Sequence, residues 1–289
     1  MHNTNDKQMM RTRNRLDACF SQLYERGKKA LAAFLMGGDP DISTSGELLK
    51  AALKGGADIL EIGVPFSDPL ADGPVIQESA GRALKNKTSL DDILILAQQT
   101  RMETNAPIVL LSYWNPIYQY GPGAFFRRAV KCGVDGVVIP DLPFEEKRPF
   151  YQAAEKNGLL LIDFLTPLTR EERAGKLVKN ARGFIYCITV TGITGVRDTL
   201  SSNLARMAEI ARMHTDLPLL AGFGISSPAQ ACEASQWVDG VIVGSALVHE
   251  IEKHLERPEV LPEIIQSKVY AFRKGLDESF PLDAGRGSV

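Results

Sequence analysis

Long apolar runs are missing from this chain of 289 residues. None approaches the roughly 20 residues that span a bilayer, and no apolar stretch follows Arg11, Arg13 and Arg15 to make a secretory signal. Charge of one sign is not in excess either. Lys and Arg number 33 against 35 Asp and Glu, for a net charge of -2 and a pI near 6.1. That leaves no electrostatic footprint for nucleic acid or an anionic membrane. Cysteine is scarce: Cys19, Cys132, Cys187 and Cys232 lie far apart without a C-x-x-C pair. This excludes a disulfide framework or zinc site and reads as the reduced thiols of a cytoplasmic protein. None of His2, His214, His249 and His254 ends an apolar run. His249 and His254 do not share a helix face, so no metal pair is expected. No lysine stands at a strand end to form a Schiff base, and no cysteine has a histidine base. Chemistry is left to carboxylates, hydroxyls and backbone dipoles.

What the sequence does contain is one alternation, repeated throughout: a short apolar run, a Gly/Pro/Asp-rich loop, then a helical pattern. The apolar runs fall at residues 30–36, 58–63, 107–112, 136–139, 159–164, 183–189, 218–222 and 240–243. Helical patterns lie between them, at 45–54, 91–102, 123–131, 145–157, 171–180, 200–214 and 228–235, and many run on through a glycine that suits a helix C-cap. Strands alternating with helices imply right-handed βαβ units and a parallel sheet. Eight of them point to a closed (β/α)8 TIM barrel of the α/β class. Residues 13–29 read as an extra N-terminal helix, placed to plug the barrel bottom, and 259–276 as a helix closing the ring. No linker divides the chain, so one domain over 1–289 is expected, frayed near 1–12 and 277–289.

In a barrel the site is built from the loops that follow the strands. The polar candidates there are Asp39; Glu61, Asp68 and Asp72; Tyr113 and Asn115; Asp141; Thr166; Thr191 and Thr194; Ser226 and Ser227; and Ser245. Glu61 stands out, because it ends an apolar run in which a carboxylate anion is costly to bury. It is paired, neutral, or there for chemistry. Asp72, within Ala71-Asp72-Gly73-Pro74, is also good turn chemistry, as are Asp68-Pro69 and Asp39-Pro40. Gly222-Phe223-Gly224 and Gly244-Ser245 follow the last two strands, where glycines and helix starts favour a phosphate over mere tight turns. The glycine-hinged Thr191–Gly195 stretch suits a lid. Phe34, Ile76, Leu111, Tyr113, Tyr186 and Phe223 suit either a flat apolar pocket or barrel core.

The run EIGVPFSDPLADGPVIQ, from Glu61 to Gln77, closely resembles the signature of the tryptophan synthase α subunit family. So do FLMGGDP from Phe34, SYWNPIYQYG from Ser112, PDLP from Pro140, YCITVTGITG from Tyr186, GFGISSP from Gly222 and VGSALV from Val243. The likeness extends roughly from Leu16 to Leu276. It implies retro-aldol cleavage of indole-3-glycerol phosphate to indole and glyceraldehyde 3-phosphate, with no metal or cofactor in this chain. It further implies Glu61 as the acid/base and Asp72 as the acceptor of the indole N–H. Gly195, Gly224, Gly244 and Ser245 would hold the phosphate. Phe34, Ile76, Leu111, Tyr113 and Phe223 would enclose the indole, and Asp141, Tyr186 and Thr194 would shape the site or its lid. The implied partner is a pyridoxal-phosphate β subunit in an α2β2 assembly, facing the loops around Asp68-Pro69 and Asn115-Pro116, with Trp114 suited to that surface. Two departures stand out: Val190 occupies a position where some members carry arginine, and the segment before Leu16 is longer than usual.

Overall fold

The computed structural model describes residues 14–188, 198–222 and 224–278. Along the chain run α1 (Arg15–Glu25), β1 (Ala30–Met36), α2 (Ile42–Lys54), β2 (Ile59–Gly63), α3 (Pro74–Lys85), α4 (Leu90–Glu103), β3 (Ile108–Leu111) and α5 (Trp114–Tyr120). Then come α6 (Pro122–Lys131), β4 (Gly136–Val138), α7 (Phe144–Asn157), β5 (Leu160–Leu165), α8 (Glu171–Asn180) and β6 (Ile185–Ile188). The last elements are α9 (Asp198–Arg212), β7 (Leu219–Gly222), α10 (Pro228–Ala234), β8 (Gly240–Val243), α11 (Ser245–Lys253) and, after a 3-10 turn at Pro258–Val260, α12 (Leu261–Glu278). The strands form a closed parallel barrel in chain order, with β1 joined to β8. Every expected strand is there. At the closing seam Gly240 is obligatory, since a Cβ there would stand 2.5 Å from the Ala30 carbonyl oxygen.

Side chains alternate across each strand, which splits the apolar residues into two buried layers. Leu31, Ala33, Leu35, Leu60, Ile62, Leu110 and Val137 pack outward against the helix ring. Ala32, Phe34, Met36, Ile59, Val109, Leu111, Tyr186 and Ile242 fill the interior. The same period turns Glu61 inward, beside Phe34 on one neighbouring strand and Val109 on the other. The interior cluster also takes in Leu16, Phe20 and Leu23 of α1, and Phe20 meets Phe184 with ring centroids 6.0 Å apart. The expected plug is therefore real. It is anchored by the N-cap Asn14, whose side chain accepts from the Leu16 N–H and donates to the carbonyls of Asp135 and Gly158.

The N-terminal rim is closed by a repeated device. Asp58, Asp135 and Asp239 each stand one residue before an even-numbered strand. Each donates its N–H to the first rung of the preceding strand's partner residue, the carbonyls of Leu31, Ile108 and Leu219. The three carboxylates accept the N–H groups of those same residues, at 2.8, 2.9 and 2.7 Å. An arginine neutralises each: Arg273 beside Asp58, Arg15 and Arg101 beside Asp135, and Arg212 beside Asp239. The ladder thus begins with side-chain oxygen where no backbone acceptor exists.

Three helices have no counterpart among the helical patterns given above, α3, α5 and α11. Asn115-Pro116 makes α5 look like a turn, although proline is tolerated in a first turn. Only Gly244 separates β8 from α11, too little for a loop signal. At the far end α12 continues past Leu276, held by Asp277 pairing with Lys28 and Arg273 at 3.0 and 2.7 Å.

Candidate active site

Glu61 sits in the middle of β2, within Ile59-Leu60-Glu61-Ile62-Gly63, and is only 2% exposed. Its Oε1 has no hydrogen-bond partner among the described residues. Of the sequence alternatives, pairing with a cation is therefore excluded there: no salt bridge reaches it among those residues. Burial first, then the nearby Asp72 charge, pushes its pKa from 4.5 up to about 8. The side chain is held mostly protonated at neutral pH.

Asp72 lies two residues before α3, in a turn closed by its own N–H on the Pro69 carbonyl at 3.1 Å. Its carbonyl accepts from the Gln77 side chain at 2.8 Å. Turn chemistry and a site position thus coincide in one residue. Burial raises its carboxyl to about 6, while the Tyr113 hydroxyl beside it works in the opposite sense. Two carboxyls in one site therefore titrate apart, the deeper one at higher pH. Tyr186, inward on β6, is pushed well above the ordinary phenol range by burial, then by the charges of Glu61 and Asp72.

Phe34, Asp72, Ile76, Leu111, Tyr186, Gly224, Ile225, Ile242, Gly244 and Ser245 line one cavity at the C-terminal mouth, with about 400 Å³ of space free of protein atoms. Its walls are apolar rings and branched chains, with Asp72 on one side. Glu61 is not itself among the described lining residues, but its strand partner Phe34 and its electrostatic neighbours Asp72 and Tyr186 are. Opposite stands the start of α11: Gly244 is its N-cap and Ser245 its first residue. The unpaired N–H groups and positive dipole end of such a start suit an anion. Gly224, at φ 98°, has the left-handed backbone that brings its loop against the same cavity. Gly222 has no room for a side chain, as a Cβ would fall 2.4 Å from the Tyr186 ring.

Other expected residues lie elsewhere. Asp141 is exposed, and its carboxylate accepts the Trp114 N–H at 2.8 Å, capping α5 outside the cavity. Tyr113 is buried behind Asp72 and is absent from the cavity wall among the described residues. Thr194, Gly195 and Phe223, with Val190 and Thr191, lie outside the described residues. Ile225 and Ile242 join the wall unforeseen, though the inward period of β8 marks Ile242. Asp39, expected as a turn residue, is fully buried and grips Arg82 of α3 through two hydrogen bonds of 2.7 and 2.8 Å. Among the described residues no group of three His, Cys, Asp or Glu side chains is placed to hold a metal, and no helix is long and apolar enough to cross a membrane.

The architecture and its mouth define a (β/α)8-barrel enzyme with buried carboxyls and the glycine-led start of a helix at one cavity. Residues 20–276 match the family described as tryptophan synthase alpha chain. The alpha chain of Carboxydothermus hydrogenoformans is 44% identical over 264 residues, covering 90% of this chain and 98% of that one. That of Geotalea daltonii is 46% identical over 239 residues, 83% and 90% of the two chains. The crystal structure of tryptophan synthase subunit alpha from Legionella pneumophila superposes with a TM-score of 0.85 at 34% identity, over 92% of this chain and 100% of that one. The chain belongs to the tryptophan synthase alpha chain family. It is accordingly a lyase of tryptophan biosynthesis, whose reaction is cleavage of indole-3-glycerol phosphate to indole and glyceraldehyde 3-phosphate.

Proposed function

We propose that Glu61 and Asp72 divide the work of this cleavage. Glu61, protonated at rest, gives its proton to indole C3, producing an indolenine cation. Asp72, ionised, accepts a hydrogen bond from the ring N–H and stabilises the positive charge that develops there. The Glu61 carboxylate then takes the proton of the side-chain hydroxyl adjoining C3. The carbon–carbon bond breaks, its electrons return to the ring, and indole and the aldehyde separate. Glu61 ends protonated, ready for another turnover. Gly224, Gly244, Ser245 and, from the family resemblance, Gly195 hold the phosphate; Phe34, Ile76, Leu111 and Phe223 bound the indole, with Tyr186 and Thr194 completing the enclosure. Asp141 acts at one remove, by capping α5.

The observation that carries this reading is the separation of the two carboxyls: Glu61 is pushed up to about 8 and Asp72 to about 6. Between those values one is neutral and the other charged, as the two roles require. Glu61→Gln tests it by assay of indole release. Loss of cleavage with retained substrate binding is expected, and turnover at the wild-type rate would remove Glu61 from the reaction.

The family carries a β-subunit partner with it. We further propose an α2β2 assembly in which pyridoxal phosphate, held by the β subunit, serves the joining of indole to serine. Leu70 beside Asp68-Pro69 is 91% exposed and Tyr118 on α5 is 62% exposed. These apolar groups on the two expected loops suit a docking face. Indole release measured with and without a β subunit distinguishes an activated subunit from a stand-alone lyase. Residues 1–289 act in this as one domain, and four free cysteines fit a cytoplasmic setting.

A further inference from the structure

Residues 65–73, which carry Asp72, have few outside supports. Their other hydrogen bonds are local, from the Ser67 hydroxyl to Asp68, from Leu70 N–H to the Asp68 carbonyl and from Asp72 N–H to the Pro69 carbonyl, with Gln77 of α3 just beyond. Among the described residues, their distant hydrogen-bonding partner is a single side chain, the Tyr113 hydroxyl, which also bonds the Asp72 side chain. The Ala71 N–H donates to the Tyr113 hydroxyl oxygen at 2.9 Å, across 42 positions of sequence. Ala71 immediately precedes Asp72.

Tyr113 is well suited to hold such a load. It is 2% exposed, its backbone stands at the N-cap position of α5, and its ring lies 5.3 Å from that of Phe66 at the start of the same loop. A phenol has a single proton to donate. Its oxygen is already accepting from Ala71, so that proton is free for the neighbouring Asp72 carboxylate. Its ring is not among the described residues that line the cavity. We propose that Tyr113 is a positioning residue, which fixes the Asp72 carboxylate by anchoring Ala71 and facing Asp72 with its hydroxyl, rather than a wall of the indole pocket. This rests on the role given to Asp72 above. It also joins the loops after β2 and β3, since Tyr113 stands at the start of α5.

Tyr113→Phe deletes the hydroxyl and keeps the ring. Two readouts are informative. The first is titration of the Asp72 carboxyl by carbon-13 NMR of the free chain, the signal being assigned by its loss in Asp72→Asn. Tyr113→Phe shifts that titration to higher pH, because the donor that favours the anion is gone. The second is steady-state indole release, in which kcat falls about tenfold while KM stays within about twofold. Phe66→Leu, which loosens the ring contact but keeps the hydroxyl, leaves the Asp72 titration in place. An unchanged titration in Tyr113→Phe overturns the proposal, as does an equal shift in Phe66→Leu. A rise in KM at constant kcat also overturns it, by making Tyr113 a substrate contact. The titration needs no turnover, so it stands apart from failure of the reaction assignment, which wild-type turnover in Asp72→Asn would reveal.

Discussion

Glu61→Gln should stabilise the protein in mild alkali while disabling it. In the unfolded chain this carboxyl ionises near 4.5, and in the folded chain burial raises it to about 8. Between those values the folded state holds one proton more than the unfolded state. Stability therefore falls as pH rises through the window, and is flat with respect to this group below about 4.5 and above about 8. At about 1.4 kcal/mol per pH unit, the whole interval is worth about 5 kcal/mol, and about 3–5 kcal/mol once water enters around the anion. Glutamine has no proton to lose. The assay is urea unfolding of both proteins at pH 5, 7 and 9, followed by circular dichroism. Asp39 and Asp58 are also raised by burial and tilt the wild-type curve. The quantity of interest is the difference between the two proteins, in which those contributions cancel. That difference should be small at pH 5 and favour the variant by several kcal/mol at pH 9. Parallel curves would refute a desolvated Glu61 carboxyl.

Three other outcomes are expected. The profile of kcat/KM against pH should be bell-shaped, rising near 6 as Asp72 ionises and falling near 8 as Glu61 loses its proton; in Asp72→Asn the residual activity should lack the rising limb and decline at lower pH, since the Asp72 charge helps to raise Glu61. Gly222→Ala places a methyl 2.4 Å from the Tyr186 ring, and should cost about 1–3 kcal/mol in thermal unfolding together with a loss of indole release. Asp135→Ala strands the Ile108 N–H and removes the carboxylate shared by Arg15 and Arg101, although Arg101 keeps its bonds to three carbonyls; about 1–3 kcal/mol of stability should be lost with KM unchanged, as read by urea unfolding and steady-state kinetics.

The barrel was legible because its order is written locally. Each strand is a short apolar run, each turn has its own glycine, proline or aspartate, and β1 and β8 fall at the residues that the hydrophobic pattern marks. Glu61 was legible for the opposite reason, as a carboxylate among Ile59, Leu60 and Ile62. Local signals failed where two pieces of chain meet only in the folded state. Asp39 and Arg82 are 43 positions apart, and nothing near either foretells their buried pair. The Tyr113 contact with Ala71 is of the same kind. The resemblance that set Tyr113 against indole carries which residues occur, not which way a hydroxyl turns. Helix α5 was hidden because seven residues containing a proline give too short a pattern to show a period.

The acids at the barrel base fasten the strands two by two: β1 to β2, β3 to β4, β7 to β8. For the remaining couple, β5 and β6, no aspartate of that kind is seen among the described residues. One step before the Asp163–Ile185 pair stands Phe184, which meets Phe20 of the plug helix. The helix ahead of the first strand instead packs beneath this couple, its Leu16 and Phe20 sharing one apolar cluster with Ile162 and Phe184. Salt or acid that loosens the other three would leave that apolar packing in place, whereas a chain trimmed of the helix would lose it together with the Arg15 partner of Asp135.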